Sequence, residues 1–345
     1  MDTAKLLDWY RTNKRDLPWR KTSDVYAVLV SEMMLQQTTV DTVLGYYDRF
    51  LTRFPHVQSL AAANEEDVLD AWKGLGYYSR ARNLHRLAKQ VAEAGGAFPA
   101  TLEGWRKLPG VGPYIAGAVT SIALGLPNAA VDGNVLRVFA RVDGIGDDIM
   151  LPQTKKRVEE RVQALIPHDA TSDFTQALME LGALVCRPSS PDCDSCPVAA
   201  NCMARERGLV DVLPVKKPKE KQQAEAMWVA VVMTPEAVLL EHRREDTLLA
   251  RMWGLPIVVQ QGDRSAEELL SEKYGVILSD GIPAGHATHV FTHRRWEMDI
   301  VRFEPEKEFP VSGALEWVSW EQFERKPVPT AFMKVLRAAR KEDGL

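Results

Sequence analysis

The 345-residue chain is 46% hydrophobic and 26% charged, with a formal net charge of −4, the balance of a soluble globular protein long enough for two buried cores. Lys and Arg number 24 against 26 Asp and Glu over residues 1–215, and 19 against 21 beyond, so neither half carries a basic footprint and any nucleic-acid interface must be built from local features. The amino-terminal stretch MDTAKLLDWYRTNKRD has charges where a signal peptide is apolar, and no apolar run approaches the roughly 20 residues of a membrane span, which predicts a cytoplasmic protein with no membrane partner.

Up to about residue 210 the apolar residues recur at helical spacing, as in Val68, Leu69 and Trp72, or Leu84, Leu87 and Val91, or Val158, Val162 and Leu165. Breaks fall at Gly74–Gly76, Gly95–Gly96, Pro109–Gly112 and Gly144–Gly146. This half is predicted to be all-helical. Early in it, Glu32 sits inside the apolar run Val25–Leu35. Burying an unpaired carboxylate costs several kcal/mol, so Glu32 needs a partner such as Arg20, a proton, or a function.

Residues 106–119, RKLPGVGPYIAGAV, join two helical segments through Leu-Pro-Gly-Val-Gly. Glycines let the backbone turn tightly, and the free amides opening the next helix near Pro113 and Tyr114 suit an anion such as a phosphate. A plain helix-to-helix turn would read the same way. Asp132, in NAAVDGNVLRVFAR, directly precedes a helix-forming run and on its own reads as an N-cap. All four cysteines lie together as Cys186, Cys193, Cys196 and Cys202, spaced C-x6-C-x2-C-x5-C. A large intracellular chain neither needs nor keeps such disulfides, whereas four thiolates in one loop suit a zinc ion or a 4Fe-4S cluster.

The Lys-rich stretch VLPVKKPKEKQQAEA begins at residue 212 and predicts an exposed linker over 212–224. Beyond it, short β-type runs (WVAVVM, AVLLEHR, WEMDIVRF, LEWVSW) surround a helical AEELLSEKY, predicting an α+β domain over 225–345.

These motifs together resemble a known family. The cysteine spacing is similar to the cluster loop of the endonuclease III family of DNA repair enzymes, LPGVG resembles that family's helix-hairpin-helix, and VDGNV resembles the segment carrying its catalytic aspartate. SEMMLQQT and GLGYYSRARNLH resemble the MutY-type adenine DNA glycosylases in particular. The resemblance implies a helix-hairpin-helix glycosylase domain over 1–211 with a 4Fe-4S loop at 186–202. It also implies a carboxy-terminal Nudix-like domain that recognises 8-oxoguanine, although the Nudix hydrolase signature is absent and SAEELLSEKYG occupies its place.

Cleaving an N-glycosidic bond forms a cationic sugar and a poor leaving base, so it gains from one protonated acid and one ionised carboxylate. An apolar pocket raises a carboxyl pKa and a polar helix start lowers it, which predicts Glu32 as the acid and Asp132 as the anion. By resemblance, Tyr114 and Asn134 support them. Trp19, Arg20, Leu35 and Gln176 surround the extruded adenine, Gln37 and Tyr77 intrude into the base stack, and Thr38 and Leu75 lie near the opposite purine. Gly110, Val111 and Gly112 grip the DNA backbone. Where endonuclease III has a lysine nucleophile two residues after LPGVG, this chain has Tyr114, so base removal without strand cleavage is expected. Phe291, Thr292 and His293 resemble the loop that contacts 8-oxoguanine, with Thr292 replacing a serine and keeping its hydroxyl.

The expected enzyme is a monomeric, nucleoid-associated glycosylase acting on duplex DNA with A·8-oxoguanine or A·G mispairs. A G·T or uracil mismatch glycosylase, a non-enzymatic iron–sulfur DNA-binding protein and a Nudix hydrolase are the alternatives.

Overall fold

The computed structural model describes residues 1–217, 222–245, 247–291 and 294–341. In chain order the helices are α1 (Thr3–Asn13), α2 (Val25–Leu35), α3 (Val40–Arg53), α4 (Val57–Ala62), α5 (Glu65–Ala71), α6 (Ser79–Glu93), α7 (Leu102–Arg106), α8 (Pro113–Ile122), α9 (Gly133–Val142), α10 (Pro152–Gln163), α11 (Thr171–Leu184) and α12 (Met203–Glu206). The remainder runs β1 (Gln223–Val232), β2 (Ala237–His242), β3 (Trp253–Gly254), β4 (Ile257–Val259), α13 (Ala266–Tyr274), β5 (Ile282–Val290), β6 (Arg294–Phe303), β7 (Leu315–Ser319), α14 (Trp320–Arg325) and α15 (Thr330–Lys341). Among the described residues no helix is long and apolar enough to cross a membrane.

The chain divides into two compact units, Met1–Ala63 with Ser79–Lys219, and Asn64–Tyr78 with Glu220–Leu345. The first is helical. Its α2 starts where Asp24 accepts the Ala27 amide, and every residue from Tyr26 to Met34 is buried. A helix apolar on all sides belongs in the middle of a bundle, and α2 packs on α3, α6 and α8. Burying Val28, Leu29, Val30, Met33 and Met34 contributes about 1.5–3 kcal/mol each, enough to carry one neutral carboxyl inside. A second core joins α1, α9, α10 and α11 through Leu6, Tyr10, Phe139, Val158, Phe174 and Leu181, with Cys186 and Cys196 packed at its edge.

The predicted exposed linker is partly corrected. Leu213 is 4% exposed and its carbonyl accepts from Arg141, while the Val215 carbonyl accepts the Ile149 amide; β1 already begins at Gln223. The polar composition concealed one apolar anchor, Leu213, and a backbone tie at Val215.

The second unit holds a four-stranded sheet ordered β4-β1-β6-β5 and a three-stranded sheet ordered β3-β2-β7. The β1–β6 pair is parallel, in register Met227↔Met298 and Val229↔Ile300. Alternate residues of β1 enter opposite cores: Met227, Val229 and Val231 meet α15, and Ala230 and Val232 meet α13. Burial on both faces explains why WVAVVM is apolar throughout and does not alternate.

Candidate active site

Glu32 is 5% exposed. Its Oε2 accepts a 2.6 Å hydrogen bond from the hydroxyl of Tyr114, which reaches across from the first turn of α8. Burial pushes the Glu32 carboxyl up to about 7; the Tyr114 bond draws it down, Asp132 pushes it up and Arg20 draws it down, and the lost hydration prevails. Burial, and then the negative charges of Glu32 and Asp132, hold the Tyr114 phenol well above its ordinary value. Tyr114 is therefore a permanent donor, and Glu32 exchanges its proton near neutrality.

Arg20, one of the alternatives open for Glu32, does not pair with it. Arg20 instead makes a bidentate pair with Glu180 on α11, both bonds at 2.7 Å, and Arg15 adds a 2.6 Å bond from its guanidinium and a 2.8 Å bond from its amide. Glu180 carries the same sequence signal as Glu32, a carboxylate in an apolar helix, and its role comes to light only through these bonds. Next to it, Met179 places its sulfur 4.0 Å from the Tyr114 hydroxyl.

Asp132 is the N-cap of α9. Its Oδ1 accepts the Val135 amide at 2.8 Å and its Oδ2 the Asn134 side-chain amide at 2.7 Å. The expectation of a lowered pKa is corrected in sign: burial raises the Asp132 carboxyl, and the bonds from Val135 and Asn134 together with the Arg137 charge only partly oppose it. The two carboxyls differ in their partners: Asp132 accepts N–H donors from Val135 and Asn134, and Glu32 accepts the Tyr114 hydroxyl.

Asn134 is oriented by Arg137, whose Nη2 donates to the Asn134 side-chain oxygen at 2.7 Å and to the Gly182 carbonyl at 2.8 Å. Two helical glycines allow the close packing here. A Cβ on Gly117 would stand 2.0 Å from the Ala129 carbonyl oxygen, and one on Gly182 would stand 2.5 Å from the Asn134 Cβ.

The LPGVG turn joins α7 to α8. Gly110 has φ +73° and Gly112 is an extended N-cap that leaves the first α8 amides without a side-chain cap, while Val111 is buried. Tyr114 thus belongs at once to an exposed helix start able to hold an anion and, through its side chain, to the Glu32 site.

Residues 30–168 match the HhH-GPD superfamily base excision DNA repair proteins and residues 227–338 match the NUDIX domain. The rat adenine DNA glycosylase is 36% identical over 96% of this chain and 76% of its own length. The chain belongs to the adenine DNA glycosylase family. Among solved structures, a thermostable thymine-DNA glycosylase superposes with a TM-score of 0.55 at 31% identity, over 59% of this chain and 95% of its own. A trapped endonuclease III–DNA covalent intermediate, 24% identical, shares the fold with a TM-score of 0.51 over 60% of this chain and 95% of its own.

Trp19 is buried with its ring edge-on to Tyr47 at 5.3 Å. Leu35, at the end of α2, is half-buried, and Gln176 is half-buried on α11, donating to Ser172. Gln37 is exposed with φ +58°, and Thr38 accepts a bond from Arg80. In the second unit Leu75 is buried and Tyr77 is 49% exposed with φ +48°. Two exposed non-glycine residues in the left-handed region are the kind of local strain that marks functional turns. Phe291 packs edge-on to Trp296 at 4.8 Å; Thr292 and His293 lie outside the described residues.

The four cysteines form no disulfide and line one cavity with Arg141 and Val138. The Cys186 carbonyl accepts from Arg137 at 2.7 Å, and the Arg187 carbonyl from Arg141 at 2.7 Å. Among the described residues no group of three or more His, Cys, Asp or Glu is set to hold a metal ion. Four cysteines lining one cavity are a donor set that fits a 4Fe-4S cluster.

Proposed function

We propose that this enzyme, an adenine DNA glycosylase by family, removes adenine paired with 8-oxoguanine or guanine by hydrolysing its N-glycosidic bond after the base leaves the helix. The observation that carries the proposal is the Tyr114–Glu32 hydrogen bond inside an apolar helix. Burial holds the Glu32 carboxyl near neutrality against the pull of that bond, separate from the carboxyl of Asp132 that caps α9. Glu32 gives its proton to the imidazole-ring nitrogen of the leaving adenine and then assists the attacking water, while Asp132, steadied by Asn134, stabilises the cationic sugar. A phenol carries no amine and cannot form a Schiff base with the sugar, so Tyr114 at this position supports base removal without strand cleavage.

Trp19, Arg20, Leu35 and Gln176 are the proposed adenine surround. Gln37 and Tyr77 intrude into the base stack, with Thr38 and Leu75 near the opposite purine, and the α8 amides after Gly110–Gly112 hold a phosphate. Cys186, Cys193, Cys196 and Cys202 would hold a 4Fe-4S cluster, which supplies structural cross-linking of the loop. The carboxy-terminal domain, with Phe291, Thr292 and His293, recognises 8-oxoguanine. The protein acts as a cytoplasmic, nucleoid-associated monomer.

The test is a set of duplexes bearing A·8-oxoguanine, A·G, G·T and matched pairs. Adenine release from the first two, with strands intact until alkali is added, is the expected result. Release of thymine from G·T alone would replace the substrate assignment, and strand cleavage without alkali would overturn the hydrolytic one.

A further inference from the structure

Helix α2 ends without glycine. Its final carbonyls have no partners in the helix, and the turn beyond it puts Gln37, an exposed side chain, at φ +58°, where a helix stop ordinarily uses glycine. Arg80, in the first turn of α6 and 6% exposed, occupies this junction. Its Nη1 donates to the carbonyls of Met33 at 3.0 Å, Met34 at 2.7 Å and Gln36 at 2.5 Å, and its Nη2 donates to the Thr38 hydroxyl at 3.0 Å.

The bonds bracket Gln37 on both sides, at Gln36 and Thr38. A cation is favourable at the negative end of a helix, and the fork of a guanidinium reaches carbonyls and hydroxyl together where a lysine ammonium would reach only one side. A left-handed non-glycine residue persists when its surroundings over-determine it, and this guanidinium supplies most of the bonds that do so, beside those from Thr38 to the Leu35 and Gln36 carbonyls.

The geometry points to Arg80 as a positioning residue for base extrusion, holding Gln37 in its DNA-facing turn. The inference rests on the proposed intrusion of Gln37 into the base stack. Arg80 stands outside the reacting groups and acts through the Gln36–Thr38 backbone.

The experiment uses the full-length protein and a duplex with 2-aminopurine in place of the target adenine opposite 8-oxoguanine, following the fluorescence rise as the base unstacks. Arg80→Lys is expected to reduce the extrusion amplitude about tenfold, and Thr38→Val about threefold. The midpoint of the excision pH profile should not move, because Glu32 keeps its partners. Arg80→Lys with wild-type extrusion overturns the inference. If that variant does not fold, Thr38→Val decides, and unchanged extrusion overturns the inference equally. Gln37→Ala separates the two readings: full extrusion by this variant removes Gln37 from the base stack and the role of Arg80 with it. Reduced extrusion beside unaffected Arg80 and Thr38 variants removes Arg80 alone.

Discussion

Glu32 and Glu180 are both carboxylates inside apolar helices, and their surroundings send them in opposite directions. For Glu180 burial works upward, but the bonds from Arg20 and Arg15 overwhelm it and hold the carboxyl at about 2. Glu32 has one phenol and stands at about 7. Excision should therefore fall as pH rises through about 7, where the catalytic proton is lost; a single-turnover rate flat to pH 9 would remove Glu32 as the acid. The same shift has a cost in stability. With an ordinary value of 4.5 and a folded value of about 7, the favourable contribution is complete below 4.5 and is lost as pH rises to 7, on the order of 3 kcal/mol. Glu32→Gln does not titrate, so its Tm relative to wild type should increase between pH 5 and pH 8 while excision is lost. An equal Tm difference at both pH values would show an unperturbed Glu32. The sequence marked Glu32 as anomalous but could not choose its partner: Tyr114 lies 82 positions away and Arg20, the nearer candidate, was taken by Glu180.

At the scale of elements, neighbours in sequence fix the caps and turns. The Asp132 cap is a bond to Val135 three residues on, and the LPGVG turn is made within five residues, so short-range geometry follows from residue type. Glycines inside helices carried no such signal, because what they admit comes from elsewhere in the chain. Gly182 lets α11 lie against the first turn of α9, and Arg137 binds that contact from the other side. Gly182→Ala should push Asn134 and Asp132 off their positions and lower the single-turnover rate at least tenfold, with DNA affinity within about threefold of wild type. An unchanged rate would show that α9 tolerates the shift and that the close approach is only packing.

Over the whole molecule, the cysteine loop is joined to α9 by Arg137 and Arg141, which bind the Cys186 and Arg187 carbonyls, and the residue at the start of that helix is Asp132. Cys186→Ser should lose iron and sulfide and lower both Tm and excision; retention of full activity by iron-free protein would confine the loop to a separate role, and a zinc-only preparation would replace the cluster. The all-helical amino-terminal half and the α+β carboxy-terminal half were legible because apolar residues at helical spacing give way to short β-type runs between them. Cysteine spacing, the hairpin and the Asp132 cap were legible for a related reason, since all are made by residues close in sequence. The apolar anchor Leu213 in a Lys-rich stretch was not, nor were the Arg15–Arg20–Glu180 network and the Arg80 junction. Those contacts join residues from 42 to 165 positions apart, and they exist only because packed helices bring them together. Sequence by itself determined which chemistry this protein carries; the tertiary structure decided which carboxyl keeps its proton, because desolvation and hydrogen-bond partners are properties of a packed interior and not of residue order.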